Sequence, residues 1–239
     1  MAGHSKWANI KHRKSVQDAR KGKVFTRLIR EITIAARGGA DASTNSRLRT
    51  AVHTALSNNM TRDTIDRAIK RGAGGEDGAN LEEIRYEGYG PGGVAIMIDC
   101  VSDNRNRTVG EVRHALTKHG GSLGTDGSVA YLFKEQGLLQ FPPDTNEDAL
   151  MEAALDAGAD DITTDEEGFT VITTREDFSH VTETLAKKGF KPSSSEITMV
   201  PSTEVPLSHE HAEKFMKLMD LLEDLDDVQN LYSNASIQE

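Results

Sequence analysis

The 239-residue chain has little of what several classes of protein require. Its single cysteine excludes a disulfide framework and any zinc site built from several cysteines. No apolar run approaches the roughly 18 residues of a membrane-spanning helix. The charged N-terminus lacks the apolar stretch of a secretory signal. We therefore expect a cytoplasmic protein with no membrane partner.

The motifs of common enzyme sites are also missing, including the two glycine-rich phosphate loops and the HExxH zinc motif. His209 and His211 would lie on different sides of a helix, which disfavours a metal site. Cys100 ends an apolar run and is better explained as a core residue than as a nucleophile. We predict a protein that is not an enzyme, with no catalytic residues, metal, cofactor or small-molecule substrate.

Two other classes of protein, an enzyme and a protein-only adaptor, remain as alternatives. An enzyme would need a pocket in which titratable groups have shifted pKa values. A protein-only adaptor would need an exposed apolar patch.

Charge is distributed very unevenly along the chain. The whole sequence has a net charge of −10, but residues 1–72 hold 16 Lys and Arg against 5 Asp and Glu, a net +11. Residues 73–239 therefore carry a net −21. This segregation predicts a polyanion-binding segment joined to an acidic body. The alternative is a basic face that is simply solvated.

Three amphipathic helices are predicted in the basic segment, over about 15–37, about 45–58 and from Thr61 to Gly72. On the first, five cations fall within about 100° of arc, opposite the apolar stripe. These cations are Arg20, Lys23, Arg27, Arg30 and Arg37. We predict that they form a solvated ridge that grips nucleic-acid phosphates. The alternative is a solubilising face.

Other basic residues lie where a helix begins. Arg47 and Arg49 fall in the first turn of the second predicted helix, where the helix dipole disfavours cations and an external anion would offset that cost. Arg105 and Arg107 precede a helix predicted from Thr108, and a helix N-terminus attracts anions. The alternative for these two arginines is a capping loop with solvent-exposed side chains.

The segment before the helices places cations around the one tryptophan, Trp7. A flat ring among cations can stack on an unpaired base, or it can anchor the segment to the helices. The candidate nucleic-acid contacts here are Lys6, Trp7, Lys11, Arg13 and Lys14.

The acidic body has the pattern of two small α+β units after a glycine-rich linker at 72–80. The first unit is predicted to include a strand near Val129–Phe133. The second unit follows the ferredoxin-like order βαββαβ and is predicted to begin with a strand at Leu138–Phe141. We predict an α+β fold with an N-terminal three-helix bundle. The predicted domains are a basic helical domain at 1–78, a discontinuous middle α+β domain at 79–136 plus 201–239, and an inserted ferredoxin-like domain at 137–200.

Several motifs resemble those of the YebC family, which comprises bacterial probable transcriptional regulators and mitochondrial translational activators. They are GHSKW at 3–7, YEGYGP at 86–91, DNRNRT at 103–108 and GGSLG at 120–124. The resemblance spans about residues 3–133, and the later domain matches in layout. Thr61 stands where the family usually has proline, and this departure removes no charge.

The resemblance implies a three-domain fold, a cytoplasmic location and nucleic-acid binding without a cofactor. The function it implies is a DNA-binding transcriptional regulator. The alternative is a factor associated with the ribosome or ribosomal RNA that assists synthesis through consecutive prolines. The residues do not choose between DNA and RNA, because phosphate recognition is common to both.

Overall fold

A computed structural model describes residues 19–74 and 80–237, and describes only the backbone of residues 19–21. The helical region, residues 19–74, contains α1 (Ala19–Ala36), α2 (Ser46–Ser57) and α3 (Arg62–Gly72). The three helices enclose an apolar core to which Ile32, Leu48 and Ile65 contribute. The three predicted helices are confirmed within the described residues.

Local sequence explains where these helices begin and how closely they pack. The side chain of Asn45 accepts a hydrogen bond from Leu48 N at 3.0 Å, and Thr61 accepts one from Thr64 N at 3.4 Å. At Gly72 any side chain would collide with α1, because an added Cβ would lie 2.1 Å from the carbonyl oxygen of Thr33. Glycine thus permits the close approach of α1 and α3.

The later part of the chain forms two four-stranded sheets and a short two-stranded one. In chain order the elements are β1 (Glu82–Tyr89), β2 (Ala95–Ser102), α4 (Arg105–Lys118), β3 (Ser122–Leu123), β4 (Phe133–Phe141), α5 (Glu147–Asp156), β5 (Asp161–Asp165), β6 (Gly168–Thr173), α6 (Phe178–Lys187), β7 (Ser194–Pro201), β8 (Val205–Leu207), α7 (His209–Glu223), β9 (Val228–Ser233) and β10 (Ala235–Ile237).

The middle region, residues 80–130 and 205–237, is built from both flanks of an insertion. Its antiparallel sheet has the order β3-β1-β2-β9, so the late strand β9 pairs with the early strand β2, with Ile96 opposite Ser233. Helices α4 and α7 contribute Leu116 and Phe215 to the core of this sheet. The helical and middle regions belong to one compact unit.

Residues 131–204 form the other compact unit. Its sheet has the order β5-β6-β4-β7 with antiparallel neighbours, and α5 and α6 pack against it. This is the ferredoxin-like arrangement. The predicted fold class, α+β with N-terminal helices followed by antiparallel sheets, is confirmed. The predicted domain boundaries at 136 and 200 stay predictions.

One strand differs from the sequence-based expectation. We expected separate strands at 129–133 and 138–141, whereas β4 runs unbroken over Phe133–Phe141. The polar stretch from Lys134 to Gln136 suggested a loop, but its backbone pairs with β7. Long-range pairing thus overrides the local signal.

Candidate nucleic-acid interface

Six of the predicted nucleic-acid contacts cannot be placed by their side chains. Lys6, Trp7, Lys11, Arg13 and Lys14 lie outside the described residues, as does the side chain of Arg20. Their predicted contacts with nucleic acid stay predictions. The other seven have described side chains, on α1, α2 and α4.

Three cations of α1 point toward the chain's own acidic residues. Lys23 Nζ lies 3.0 Å from Asp224 Oδ1 and donates to the carbonyl oxygen of Asp224 at 2.9 Å. Arg27 donates to the carbonyl oxygen of Glu223. All three cations, Lys23, Arg27 and Arg30, contact residues 223–227, which join α7 to β9. We call these cations the α1 cationic face and residues 223–227 the acidic segment.

Arg30 is the member of this face that pairs with a buried carboxylate. Its Nη1 lies 2.8 Å from Asp227 Oδ1, and its side chain is only 17% exposed. It also donates to the carbonyl oxygen of Val101 at 3.2 Å. Burial lowers the pKa of Arg27, although the nearby carboxylates oppose this shift. The prediction that Arg27 and Arg30 lie on a solvated ridge is wrong, because the acidic segment covers them, whereas Lys23 remains 39% exposed beside Asp224 and Arg37 is exposed.

Asp227 is the centre of a buried polar network. Its side chain is 2% exposed and accepts hydrogen bonds from Thr108 Oγ1 at 2.6 Å and Ser102 Oγ at 3.0 Å. Arg107 Nη2 lies 2.8 Å from Asp227 Oδ2. Burial raises the pKa of Asp227, but the hydrogen bonds from Thr108, Arg107 and Ser102 and the charge of Arg30 together hold it below its ordinary value. Asp227 thus joins α1, β2 and α4.

The same network explains the basic stretch at the start of α4. Asn104 caps the helix by accepting a hydrogen bond from Arg107 N at 3.0 Å. The anion that lies beside Arg107 in the structure is the chain's own Asp227 and not an external phosphate. Arg105 differs, since its exposed side chain forms no ion pair with any described residue, whereas Arg107 pairs with Asp103 and Asp227. External phosphate contacts of Arg105 and Arg107 stay predictions.

The two arginines of α2 also contact the protein itself. Arg47 Nε lies 2.8 Å from Glu31 Oε1, and the guanidinium also pairs with Glu83 on β1. The hydrogen bonds that Arg47 donates to Glu31 and Glu83 raise the pKa of Arg47. Arg49 donates to the carbonyl oxygens of Ala42 and Ser43, each at 3.0 Å. Arg49 fastens the loop before α2 while its side chain stays at the surface.

Helix α3 keeps cations at the surface. Arg62, Lys70 and Arg71 are exposed and form no ion pair with any residue in the described parts of the chain. Arg67 Nη2 lies 2.9 Å from Asp63 Oδ2 one turn earlier, a pair that is exposed on both sides. Sequence reasoning did not select the α3 cations as contacts. The position of Arg67, Lys70 and Arg71 opposite the buried Ile65 and Ala68 was the signal that could have found them.

A cleft of about 1000 Å³ separates α1 and α2 from the open face of the middle sheet. Its charged lining is paired, as in Arg85 with Asp99 at 2.6 Å. Two buried donors in its lining, Arg27 Nε and Gln229 Nε2, have no hydrogen-bond partner among the described residues. Polar contacts, such as the ion pair of Arg47 with Glu83, join the helical region to the sheet beside this cleft.

The rest of the described chain offers little sign of catalytic chemistry. Burial raises the pKa of Cys100 to about 12, which leaves the thiol protonated at neutral pH. Cys100 lies in the core of the middle region, as predicted. Residues 19–74 and 80–237 contain no group of three or more His, Cys, Asp or Glu side chains placed to hold a metal. Within those residues, every helix is too short or too polar to cross a membrane.

These features define a class of α+β protein in which basic N-terminal helices rest on an acidic sheet region that carries a ferredoxin-like insertion. Two family models match the chain. The TACO1/YebC protein N-terminal domain matches residues 5–75, and the TACO1/YebC second and third domain matches residues 81–235. The chain belongs to the TACO1/YebC family.

Relatives and a solved structure agree with this assignment. A probable transcriptional regulatory protein of Francisella philomiragia is 63% identical over 99% of this chain and 96% of its own length. A protein of the same description from Francisella tularensis is also 63% identical over the same shares. The crystal structure of a conserved hypothetical protein from Aquifex aeolicus matches with a TM-score of 0.84 and 46% identity, over 98% of each chain.

Proposed function

We propose that the protein is a nucleic-acid-binding regulator of gene expression, a DNA-binding transcriptional regulator that acts in the cytoplasm and binds phosphates through its basic helices. The description of its relatives as probable transcriptional regulatory proteins supports the regulatory role. The observation that carries phosphate binding is the surface of α3, where Lys70 and Arg71 are exposed, whereas Lys23 and Arg30 of α1 pair with Asp224 and Asp227 of the same chain.

The geometry of α3 suits a backbone contact. At 100° per residue, Arg67, Lys70 and Arg71 fall within about 100° of arc, opposite the apolar stripe. Guanidinium groups bind phosphate in bidentate fashion, and lysine binds it as a point charge. The net charge of +11 over residues 1–72 adds a long-range attraction for polyanions. In this proposal the cations near Trp7 add contacts to the same ligand.

A specific observation favours the alternative target, ribosomal RNA. The exposed face of α3 also carries Asp63 and Asp66. Inside a major groove, phosphates flank a helix on both sides, so these carboxylates would be repelled. Irregular RNA can approach such a helix from one side. The partner would then be the ribosome, and the role would be assistance with synthesis through consecutive prolines.

Two measurements test the proposal. The first is binding of a duplex DNA and a structured ribosomal RNA fragment across a salt series. If roughly 6–10 phosphates are neutralised, affinity falls about 10³–10⁵-fold between 50 and 200 mM salt. Absence of binding, or binding that does not change with salt, contradicts it.

The second measurement is crosslinking in cells followed by sequencing of the bound DNA and RNA. Enrichment on promoters supports the transcriptional role. Enrichment on ribosomal RNA supports the alternative.

A further inference from the structure

The acidic segment presents main-chain and carboxylate oxygen atoms to one face of α1. Lys23, Arg27 and Arg30 lie at i, i+4 and i+7, so they share one face of the helix and span about 10 Å along its axis. Each contacts one of five consecutive residues, and four of those five carry a carboxylate. A nucleic-acid strand presents one phosphate per 3.4 Å of axis. The segment and a phosphate backbone thus both offer closely spaced oxygen acceptors to cations on one face of a helix.

This contact is not a continuous apolar interface. Within the described residues, the core of the helical region and the core of the middle region share no side chain. Asp224 and Asp226 are exposed, and the Lys23–Asp224 pair is open to solvent, with side chains 39% and 63% exposed. Exposed pairs of this kind contribute only about 0–1 kcal/mol.

The hydrogen bonds between Arg27 and the acidic segment are also incomplete. Its Nη2 donates to the carbonyl of Glu223, but its buried Nε has no hydrogen-bond partner among the described residues. A buried donor without a partner destabilises the docked arrangement. A phosphate group, with several acceptor oxygens, could satisfy both donors of one guanidinium.

We infer that the acidic segment is an internal competitor for nucleic acid, which occupies the α1 cationic face until a phosphate backbone displaces it. This inference rests on the proposed function and adds its regulation. Nucleic acid held by α3 and the N-terminal cations would compete with Asp224 and Asp226 for Lys23 and Arg27. Asp227 would keep its bonds to Arg107, Ser102 and Thr108. Binding would thereby be restricted to ligands long enough to reach both surfaces.

The first test weakens the competitor in the full-length chain. The double variant D224N/D226N removes two exposed carboxylates beside α1 and keeps their shape. The matched control, E111Q/D126N, removes two exposed carboxylates elsewhere in the middle region, so both variants gain the same net charge. At low salt we expect D224N/D226N to bind duplex DNA or ribosomal RNA about threefold to tenfold more tightly than the control.

The substitution K23Q, introduced into the wild-type chain and into D224N/D226N, distinguishes the release of α1 from a general effect of charge. If α1 is released, K23Q removes most of the gain in D224N/D226N and changes affinity less in the wild-type chain. Equal affinity of D224N/D226N and the control, while the wild-type chain binds nucleic acid, overturns the inference and leaves the proposed function standing. Failure of every variant to bind either nucleic acid overturns the proposed function itself.

A second readout follows the contact directly. A carbodiimide joins a lysine amine to a nearby carboxylate as an amide with loss of water, and Lys23 Nζ lies 3.0 Å from Asp224 Oδ1. We expect the Lys23–Asp224 crosslink in the free protein, and at least a threefold lower yield with saturating nucleic acid. The i,i+4 pair of Lys214 with Glu210 at 2.7 Å is the internal control. An unchanged Lys23–Asp224 yield in the bound state overturns the inference.

Discussion

Helices α1 and α3 carry similar cationic faces but have opposite surroundings. Each helix places several cations opposite an apolar stripe that packs into the same small core. On α1 Lys23, Arg27 and Arg30 meet the acidic segment, whereas on α3 Lys70 and Arg71 remain exposed in the described structure. The cationic face of a helix in a sequence therefore does not show whether acidic residues of the same chain cover that face.

Because Asp227 is buried, losing a cation that pairs with it should lower the free energy of unfolding more than losing an exposed cation of α3. Two guanidinium groups share Asp227, which is almost inaccessible to water. Removing one partner of a buried pair leaves an uncompensated charge. Losing an exposed cation of α3 leaves no such defect, so its effect should appear in binding and not in folding. The predictions below use this contrast, in order of decreasing effect.

The largest expected effect is on stability, from Asp227→Ala. It leaves Arg30 and Arg107 without their shared carboxylate and should lower the free energy of unfolding by about 3–5 kcal/mol. Asp224→Ala, which removes an exposed carboxylate from the same segment, should cost less than about 1 kcal/mol. Urea unfolding of both variants measures the difference. Similar losses in the two variants would show that Asp227 is not a buried centre.

Arg30→Gln should have the next largest effect. It removes a charge-assisted hydrogen bond to a buried carboxylate, which corresponds to about 1.5–3 kcal/mol of stability. Arg71→Gln on α3 is the matched control and should change stability by less than about 1 kcal/mol. The same urea titration compares them. A loss for Arg30→Gln as small as that for Arg71→Gln would contradict the docked position of α1.

Reversing charge on α3 should affect nucleic-acid binding. The double variant K70E/R71E replaces two exposed cations and should weaken binding about 10–50-fold, or roughly 1.4–2.3 kcal/mol. The control K187E/K191E makes the same charge change at exposed lysines of residues 131–204, one of them also in the last turn of a helix. Fluorescence anisotropy at fixed salt gives both affinities. Equal weakening of nucleic-acid binding in the two variants would show that α3 contributes only through the net charge of the protein.

The smallest expected effect is a pH dependence. The pKa of Asp227 lies below its ordinary value of 3.8, so its ionised form stabilises the folded state. That contribution is fully present above the ordinary value and is lost as pH falls through the lower, folded-state value. The stability difference between wild type and Asp227→Asn should stay constant from neutral pH to about 5 and shrink below about 4. A difference that shrinks near neutral pH would contradict the network.

Sequence patterns predicted the parts of this fold that local rules govern. The start of α3 at Thr61, the apolar stripes of the three helices and the βαββαβ order all follow from spacing and turn chemistry. The pattern failed at β4, where Lys134–Gln136 pair with a strand about 60 residues later. It also failed to show that Glu87, in the YEGYGP motif, is a buried carboxylate that accepts hydrogen bonds from the backbone N–H groups of Gly127, Val129 and Ala130.

The candidate site was less predictable because its cations pair with carboxylates that lie far away in the sequence. Lys23 and Asp224 are 201 residues apart in the chain, and Arg107 and Asp227 are 120 apart. A helical wheel shows which face a cation occupies, but it contains no information about which element covers that face. The acidic run at 223–227 is visible in the sequence, yet only the fold brings it to α1.

Arginine modification by phenylglyoxal, read peptide by peptide with mass spectrometry, tests the contrast between the two helices most directly. In the free protein, Arg30 on α1 should be modified at least tenfold more slowly than Arg62 and Arg71 on α3, because its side chain is buried against Asp227. Modification of Arg30 as fast as that of Arg71 would show that the α1 face is open in solution and would contradict the internal pairing.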